Sequence, residues 1–172
     1  VRGGVHFKRA YAAATRTNES IFSLMTGRWP YQLDFVAAGV DKNDAFRQVD
    51  DSYSVKQPHQ LPLNDRTPTL AGLLAGRGYQ TAAIVPYVFF LKGAGITRGF
   101  GDVDDRAYQA ANRGNRGVTS QFLSDQAIAW TEQAKSPWMM WIHYLDPHSP
   151  YDPYGGVPEG APMFDRYVSE LR

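Results

Sequence analysis

The stretch that decides the fold is residues 67–87, "TPTLAGLLAGRGYQTAAIVPY". It opens with two threonines, either of which can cap a helix, and continues with leucines at helical spacing. Gly76 or Gly78 then ends the helix. The run from Tyr79 to Val85 is mostly apolar and is bounded by Gly78 and Pro86, as expected for a buried strand. The segment therefore predicts a helix followed by a strand that is covered on both faces.

The same order of elements recurs near the end of the chain. Apolar residues at helical spacing between Val118 and Trp130 predict an amphipathic helix that ends at about Ala134. After Pro137, the apolar run "WMMWIHYL", residues 138–145, predicts a second buried strand. Because both strands are apolar rather than alternating, the sequence predicts an α/β fold with a mostly parallel sheet that helices flank on both faces.

The N-terminal part of the chain adds a short strand and a helix. Residues 4–12, "GVHFKRAYA", alternate apolar and polar side chains, which predicts a short strand. Ile21, Leu24 and Met25 follow at three- and four-residue spacing. They predict the apolar face of a helix that ends at Gly27.

Residues 28–66 are rich in turn formers and predict a long irregular connection. We interpret residues 1–172 as one partial catalytic domain. The chain begins with Val1 instead of Met, and its last residues, "FDRYVSELR", continue a helical pattern. We therefore expect a domain that is truncated at both ends.

Composition narrows the classes of protein. Hydrophobic residues make up 43% and charged residues 20% of the chain, which is ordinary for a globular protein. A net charge of +1 gives no electrostatic basis for binding nucleic acid, so no nucleic-acid partner is predicted. The absence of cysteine excludes disulfides, thiolate metal sites and a cysteine nucleophile. No apolar run reaches the roughly 20 residues that span a bilayer, so no membrane segment is predicted within the chain.

A first candidate site lies in "TRTNESIFSLMTGRWP", residues 15–30. If Thr17 is the N-cap of the helix, the amides of Glu19 and Ser20 and the helix dipole favour a nearby anion. A hydroxyl in that position could attack a phosphoryl or sulfuryl group while the amides receive the developing charge. The alternative is a plain helix cap, which the pattern by itself favours.

A second candidate site is the proline-rich loop "HYLDPHSPYDP", residues 143–153. It holds His143, Asp146, His148 and Asp152 directly after a predicted strand, which suits anion binding, proton transfer or metal ligation. The spacing of the two histidines does not fit a pair of zinc ligands on one helix face. The alternative is that the aspartates form turns and that His143 is a buried, hydrogen-bonded side chain.

Taken together and in this order, the segments resemble the sulfatase family of the alkaline phosphatase superfamily. Members of that family have an Ala-Tyr-Ala-like turn, a helix ending in Thr-Gly-Arg-x-Pro, a Gly-Tyr-x-Thr-Ala strand, a Gly-Phe-Asp turn and a Pro-His-x-Pro-Tyr loop. The matching segments here are "GVHFKRAYA", "TNESIFSLMTGRWP", "PTLAGLLAGRGYQTAAIV", "RGFGDVDD" and "PWMMWIHYLDPHSPYDP". The resemblance covers nearly the whole chain and implies a metal-dependent hydrolase of sulfate esters.

The resemblance also implies roles for individual residues. Thr17 falls on the position of the family's nucleophile, which in the family also ligates a divalent cation, usually Ca²⁺ or Mg²⁺, with Mn²⁺ as a third option. His148 falls on the histidine that contacts the sulfate or phosphate oxygens, and Ser20 falls on the serine of the nucleophile motif. The implied catalytic residues are Thr17 and His148, and the implied substrate-binding residues are Ser20, Arg16, Lys92 and His143.

The chain departs from the family pattern near both sites. Classical members have a Cys or Ser that is converted to formylglycine where this chain has Thr17, so that maturation is not implied. Ile21 stands in place of a motif arginine, for which either Arg16 or Arg28 is a nearby substitute. Lys92 is a possible substitute for a lysine that often follows the strand. The family's metal carboxylates would lie outside residues 1–172, so we expect the cation to be incompletely ligated and the chain alone to be inactive.

Two alternatives stay open at this point. Threonine nucleophiles occur in relatives that act on phosphoryl groups, so Thr17 favours a phosphodiesterase or phosphotransferase on the same fold. Glu19 and Ile21 replace the motif's Pro and Arg, which favours a non-catalytic sulfatase-like module. The substrate that the resemblance implies is a small-molecule or glycan sulfate or phosphate ester. A periplasmic, extracellular or membrane-tethered parent is compatible with the resemblance, and the sequence itself fixes no compartment.

Overall fold

The structure is a computed structural model that describes residues 3, 5, 7–33, 63–87, 90, 95–107, 119–146, 148 and 160–170. The chain divides into two compact units. The N-terminal unit comprises residues 1–70 and 94–96, and the sheet unit comprises residues 71–93 and 97–172. The N-terminal unit buries its own apolar side chains, which are Phe22, Met25, Leu33, Leu63 and Ile96.

The sheet unit is built on three parallel strands. They are β1 (Gln80–Ile84), β2 (Asp102–Asp104) and β3 (Trp138–Ile142), in the order β2-β1-β3. In the register, Ala82 lies beside Asp102 on one side and Met140 on the other. The predicted α/β class with a parallel sheet is confirmed.

The helices of the described ranges follow the predicted order. They are α1 (Thr17–Thr26), α2 (Leu70–Ala75), α3 (Ser120–Gln133) and α4 (Met163–Glu170), with a short 3₁₀ turn at Pro30–Gln32. Helix α2 runs into Gly76, and α3 connects the parallel strands β2 and β3, as a parallel pair requires. No helix of the described part is both long and apolar enough to cross a bilayer.

One face of the sheet packs against α3. Leu123 and Ala127 of the helix bury against Ile84, and Ala107 completes this cluster. Met140 and Ile142 of β3 pack against the same cluster. Full burial of one leucine side chain contributes roughly 1.5–3 kcal/mol, so this contact holds the helix to the strands.

The other face of the sheet is covered by aromatic side chains. Side chains alternate along a strand, so Ala83 and its neighbour Trp141 point away from α3. The ring of Trp141 lies 5.0 Å from the ring of Phe90 and 6.0 Å from that of Phe100. All three of these aromatic side chains are buried. The sheet is therefore covered on both faces, which explains why residues 82–84 of β1 and the whole of β3 are apolar.

The turn that leads into β2 requires a glycine. Gly99 has a φ of +90°, and a Cβ built on it would lie 2.2 Å from the backbone nitrogen of Gly72 in α2. The Thr81 hydroxyl donates to the Gly99 carbonyl at 2.8 Å and accepts from the Gly101 amide at 3.0 Å. These contacts fix the start of β2 beside β1.

The predicted apolar face of α1 is partly wrong. The helix ends as predicted, with Gly27 in the left-handed conformation and its N–H bonded to the Ser23 carbonyl at 2.8 Å. However, Leu24 is 68% exposed, and Phe22 and Met25 are the buried apolar side chains. Three- and four-residue spacings fit either of two overlapping faces of one helix. The face that carries Phe22 is the buried one, because burying this larger side chain removes more apolar area from water than burying Leu24.

The structure also differs from the sequence prediction in two of the strands. The strand predicted at residues 4–12 is wrong, since no described residue there lies in a strand and Val5, Phe7 and Tyr11 are exposed. An alternating pattern makes a strand only where a neighbour accepts its hydrogen bonds and covers its apolar face. The last strand ends at Ile142 instead of Leu145. Most of the predicted irregular connection, residues 34–62, lies outside the described residues.

Candidate active site

The carboxyl edge of the sheet brings together the segments that follow β1 and β3. The His143 N–H donates to the Ile84 carbonyl at 3.0 Å, and the Val85 N–H donates to the Asp104 carbonyl at 2.9 Å. These hydrogen bonds extend the ladder by one residue beyond the strands, so the loops start side by side. Ligands of open parallel sheets gather at this edge.

His143 lies in an aromatic setting at this edge. Its ring is stacked on Tyr87 at 6.2 Å, meets the edge of Phe90 at 5.0 Å and lies 6.1 Å from Trp141. Burial lowers the pKa of the imidazole below its ordinary value of 6.5, and the positive charge of His148 lowers it further. His143 is therefore mostly uncharged near neutral pH, with one ring nitrogen as a donor and the other as an acceptor.

Asp146 ties the same loop to the start of α3. Its carboxylate accepts hydrogen bonds from the Thr119 N–H at 3.0 Å, the Thr119 hydroxyl at 2.6 Å, the Ser120 N–H at 2.7 Å and the Ser120 hydroxyl. Burial by itself would raise the pKa of Asp146, but the hydrogen bonds from Ser120 and Thr119 outweigh it and lower the pKa. Asp146 thus caps the helix, a role that neither sequence alternative included.

His148 lies two residues beyond this cap. Its side chain is exposed, and its N–H donates to the Leu145 carbonyl at 2.9 Å, which closes a tight turn. The hydrogen bonds of Asp146 and this turn hold the backbone of the loop close to the carboxyl edge of the sheet. His143 and His148 lie close enough for the charge of His148 to lower the pKa of His143. That they share one site stays a prediction.

The three predicted residues of the N-terminal unit cluster at the start of α1. Thr17 is the first residue of the helix and is exposed, and the Ser20 N–H donates to the Arg16 carbonyl at 3.0 Å. The prediction that Thr17 is the N-cap is wrong. Arg16 occupies the N-cap with an extended backbone, φ −101° and ψ 140°, and its side chain makes no capping hydrogen bond. The helix therefore begins at Thr17, one residue earlier than an N-cap at that threonine implies.

The pairing of Thr17 with His148 stays a prediction. Thr17, Arg16 and Ser20 belong to the N-terminal unit, whereas His143 and His148 belong to the sheet unit. Lys92 lies outside the described residues.

Comparison with known proteins bears on the identity of the chain. A family model described as Sulfatase matches residues 1–170, nearly the full length. The chain belongs to the sulfatase family. Members of this family hydrolyse sulfate esters and generally use a divalent cation. No curated protein matches the chain.

The described part of this sulfatase-family chain does not form a metal site by itself. No group of three or more His, Asp or Glu side chains within it could hold a metal ion. Asp146 uses its carboxylate to cap α3, and the Thr17 hydroxyl is a single neutral oxygen. A divalent cation such as Ca²⁺ needs several oxygen ligands, at least some of them carboxylates in most sites.

A separate pocket of about 450 Å³ lies between β2 and α3 in the sheet unit. Asp102 accepts a hydrogen bond from the Trp130 indole at 2.8 Å, and Arg106 donates to Asp104 at 2.8 Å, which lowers the pKa of Asp104. Three carboxylates and one guanidinium line this pocket, with Asp105 as the third acid. Its charge disfavours an anionic ester, so the pocket is a poor candidate for the sulfate site of a sulfatase-family member.

Proposed function

We propose that the protein is a metal-dependent hydrolase of sulfate esters that uses Thr17 as its nucleophile. The observation that carries this proposal is the position of Thr17 as the exposed first residue of the ten-residue helix α1, in a chain that matches the sulfatase family over residues 1–170. The first amides of a helix have no partner within it, and the helix dipole is positive at this end. An anionic sulfuryl group is attracted to such a position.

The proposed reaction is an in-line displacement at sulfur. The Thr17 Oγ forms a bond to sulfur while the bond between sulfur and the ester oxygen breaks, and the proton of the Thr17 hydroxyl ends on the departing alcohol. Water then attacks the sulfated threonine, which releases hydrogen sulfate and restores the hydroxyl. Each half of the cycle thereby exchanges one S–O bond for another and needs no oxidant or reductant.

Other predicted residues are proposed to hold the sulfuryl oxygens. His148 would donate to them from its exposed ring, and His143 would contribute a neutral donor from the carboxyl edge of the sheet. Ser20 and Arg16 stand next to Thr17 at the start of α1 and would contact the same group from the helix side. Lys92 is retained as a further proposed contact. Preorganised donors of this kind are worth several kcal/mol where charge develops.

A divalent cation, Ca²⁺ or Mg²⁺ with Mn²⁺ as a third option, is proposed to bind beside Thr17. Thr17 would supply one oxygen ligand, and the remaining ligands would come from segments outside residues 1–172. The described residues offer no acidic cluster that could supply them. We accordingly propose that the chain is the N-terminal core of a longer catalytic domain and that it has little activity alone.

The proposed substrate is a small-molecule or glycan sulfate ester. A second candidate is a phosphodiesterase or phosphotransferase on the same fold, which the identity of Thr17 favours because this residue is neither Cys nor Ser. A third is a non-catalytic module, favoured by Glu19 and Ile21 in the nucleophile motif.

The test uses the complete protein that contains this sequence. Turnover of aryl sulfates, aryl phosphates and phosphodiesters is measured with and without Ca²⁺, Mg²⁺ or Mn²⁺, and for the variants Thr17→Ala and Thr15→Ala. Thr15 is an exposed threonine just before the helix and serves as the matched control. We expect Thr17→Ala to lose turnover by at least a hundredfold and Thr15→Ala to keep it, as for other lost nucleophiles. Equal rates for the two variants would overturn Thr17, and preferential turnover of phosphate esters would favour the second candidate.

A further inference from the structure

We propose that Tyr87, together with His143, contacts the transferring group of the ester through neutral hydrogen bonds and makes the site favour singly charged ester groups over doubly charged ones. This inference rests on the proposed function and adds to it a residue that governs substrate charge.

Tyr87 and His143 are fixed beside each other by the two parallel strands. Tyr87 comes three residues after the end of β1, and His143 directly follows β3. The hydrogen bond from the His143 N–H to the Ile84 carbonyl, 3.0 Å long, sets the two loops in register. The two rings then lie 6.2 Å apart with an angle of 28° between their planes. The pair is thus built into the edge where a parallel sheet binds its ligands.

Tyr87 and His143 both pack on buried aromatic side chains. Phe90 is fully buried, its N–H donates to the Tyr87 carbonyl at 2.9 Å, and its ring meets Tyr87 at 5.2 Å and His143 at 5.0 Å. The ring of Trp141 packs on Phe90 at 5.0 Å. Tyr87 and His143 are themselves only half-buried. Packing on Phe90 and Trp141 therefore restricts the Tyr87 and His143 rings on one side, while part of each ring stays accessible to a ligand.

Both rings are uncharged donors. Burial raises the pKa of the Tyr87 phenol above its ordinary value of 10.0, so the hydroxyl keeps its proton at neutral pH. His143 is mostly neutral at this pH because burial lowers its pKa. Residues 85–87 and 143–146, which directly follow β1 and β3, include no Lys or Arg. A sulfuryl or phosphoryl oxygen at this pair would accept hydrogen bonds without forming an ion pair.

The nearby carboxylate of Asp146 adds to this selectivity. Its pKa is lowered, so it is ionised at neutral pH and stands in the loop that begins with His143. Coulomb repulsion scales with the product of the charges, so a dianion is repelled by Asp146 about twice as strongly as a monoanion. Sulfate monoesters and phosphodiesters carry one negative charge, whereas phosphate monoesters carry two above about pH 7. Arg16, Lys92, His148 and the proposed cation attract a dianion more strongly than a monoanion, whereas the neutral pair and Asp146 do not. This edge therefore shifts the preference of the whole site toward the first two classes.

The test measures binding in the complete protein, in a Thr17→Ala background that prevents turnover. Calorimetry at about pH 8 determines Kd for an aryl sulfate and for the corresponding aryl phosphate. Tyr87→Phe removes the hydroxyl and keeps the ring, and Tyr87→Lys adds a cation. Tyr144→Phe is the matched control, because the Tyr144 hydroxyl is 2.9 Å from the Ser124 hydroxyl of α3. Circular dichroism and unfolding midpoints confirm that each variant is folded.

We expect Tyr87→Phe to weaken the binding of both esters roughly tenfold, the usual effect of losing one hydrogen bond to an anion. Tyr87→Lys should raise the affinity for the phosphate relative to the sulfate by about tenfold, and Tyr144→Phe should change neither Kd by more than about twofold. The inference is overturned if Tyr87→Phe binds both esters like Tyr144→Phe, or if neither ester binds in the Thr17→Ala background. If binding responds to Tyr87 but the complete protein with Thr17 intact turns over neither ester, only the proposed hydrolysis is overturned.

Discussion

Asp146 accepts the backbone N–H of Ser120 at 2.7 Å, so a residue from the loop after β3 caps the helix that precedes that strand. The carboxylate also accepts the N–H of Thr119, and it supplies the negative charge that a helix N-terminus favours. One side chain thus stabilises α3 and fixes the loop that carries His148.

The cap predicts a loss of stability on substitution. Asp146→Ala should lower the free energy of unfolding by about 1–2 kcal/mol, the range for a lost N-cap side chain. Urea unfolding followed by circular dichroism measures the difference. Asp125→Asn is the control, because Asp125 lies exposed on the same helix, where it accepts the Gln121 amide at 2.8 Å. A loss that is no larger for Asp146→Ala than for Asp125→Asn would contradict the capping role.

The lowered pKa of Asp146 predicts a pH dependence of this contribution. The folded-state pKa lies below the ordinary value of 3.8, so between the two values the unfolded chain binds more protons than the folded one. The stabilisation is therefore complete above about pH 5 and is lost as the pH falls through the folded-state pKa. The difference in unfolding free energy between wild type and Asp146→Ala should shrink from about pH 5 to pH 2. A difference that stays constant over this range would show that the carboxylate charge contributes nothing.

The position of His148 near His143 predicts a change in titration. The positive charge of His148 contributes to the lowered pKa of His143, after burial. His148→Gln should therefore raise the pKa of His143 while leaving it below 6.5, because burial persists. His148→Lys keeps a positive charge and should leave the pKa of His143 low. NMR titration of the imidazole resonances measures both, and identical values in the two variants would contradict the proximity of the two rings.

The packing of α3 on the sheet predicts an unequal response within one helix. Leu123 is fully buried against Ile84 and Ala127, whereas Ile128 is 58% exposed. Leu123→Ala should cost about 2–5 kcal/mol of unfolding free energy, and Ile128→Ala should cost about 0.5 kcal/mol. Chemical denaturation of the two variants provides the comparison. Similar losses would mean that α3 does not pack through Leu123.

The sequence predicts the sheet unit well because its signals are local and strong. Apolar runs between Gly78 and Pro86, and after Pro137, mark β1 and β3, and their lack of alternation marks a parallel sheet. The end of α1 at Gly27 is likewise a local property of one glycine. These features depend on residues that are neighbours in the chain.

The sequence fails where the outcome depends on distant partners. The cap of α3 comes from Asp146, more than 25 residues away in the chain, and no local pattern reveals it. The apolar alternation of Val5, Phe7 and Tyr11 predicts a strand, but a strand also needs a neighbour. The stacking of Tyr87 on His143 arises only when β1 and β3 lie side by side. In contrast, Thr17 and His148 are predicted from local pattern, at a helix start and in a proline-rich loop, and their individual roles come from the motif resemblance.

The central claim is that Thr17 is the nucleophile of a sulfate ester hydrolase. Its most direct test is peptide mass spectrometry of the complete protein, quenched in acid during turnover of an aryl sulfate. We predict a sulfuryl group on the peptide that contains Thr17, located on that residue and absent from Thr17→Ala. Sustained turnover with unmodified Thr17, or with the group on another residue, would contradict it.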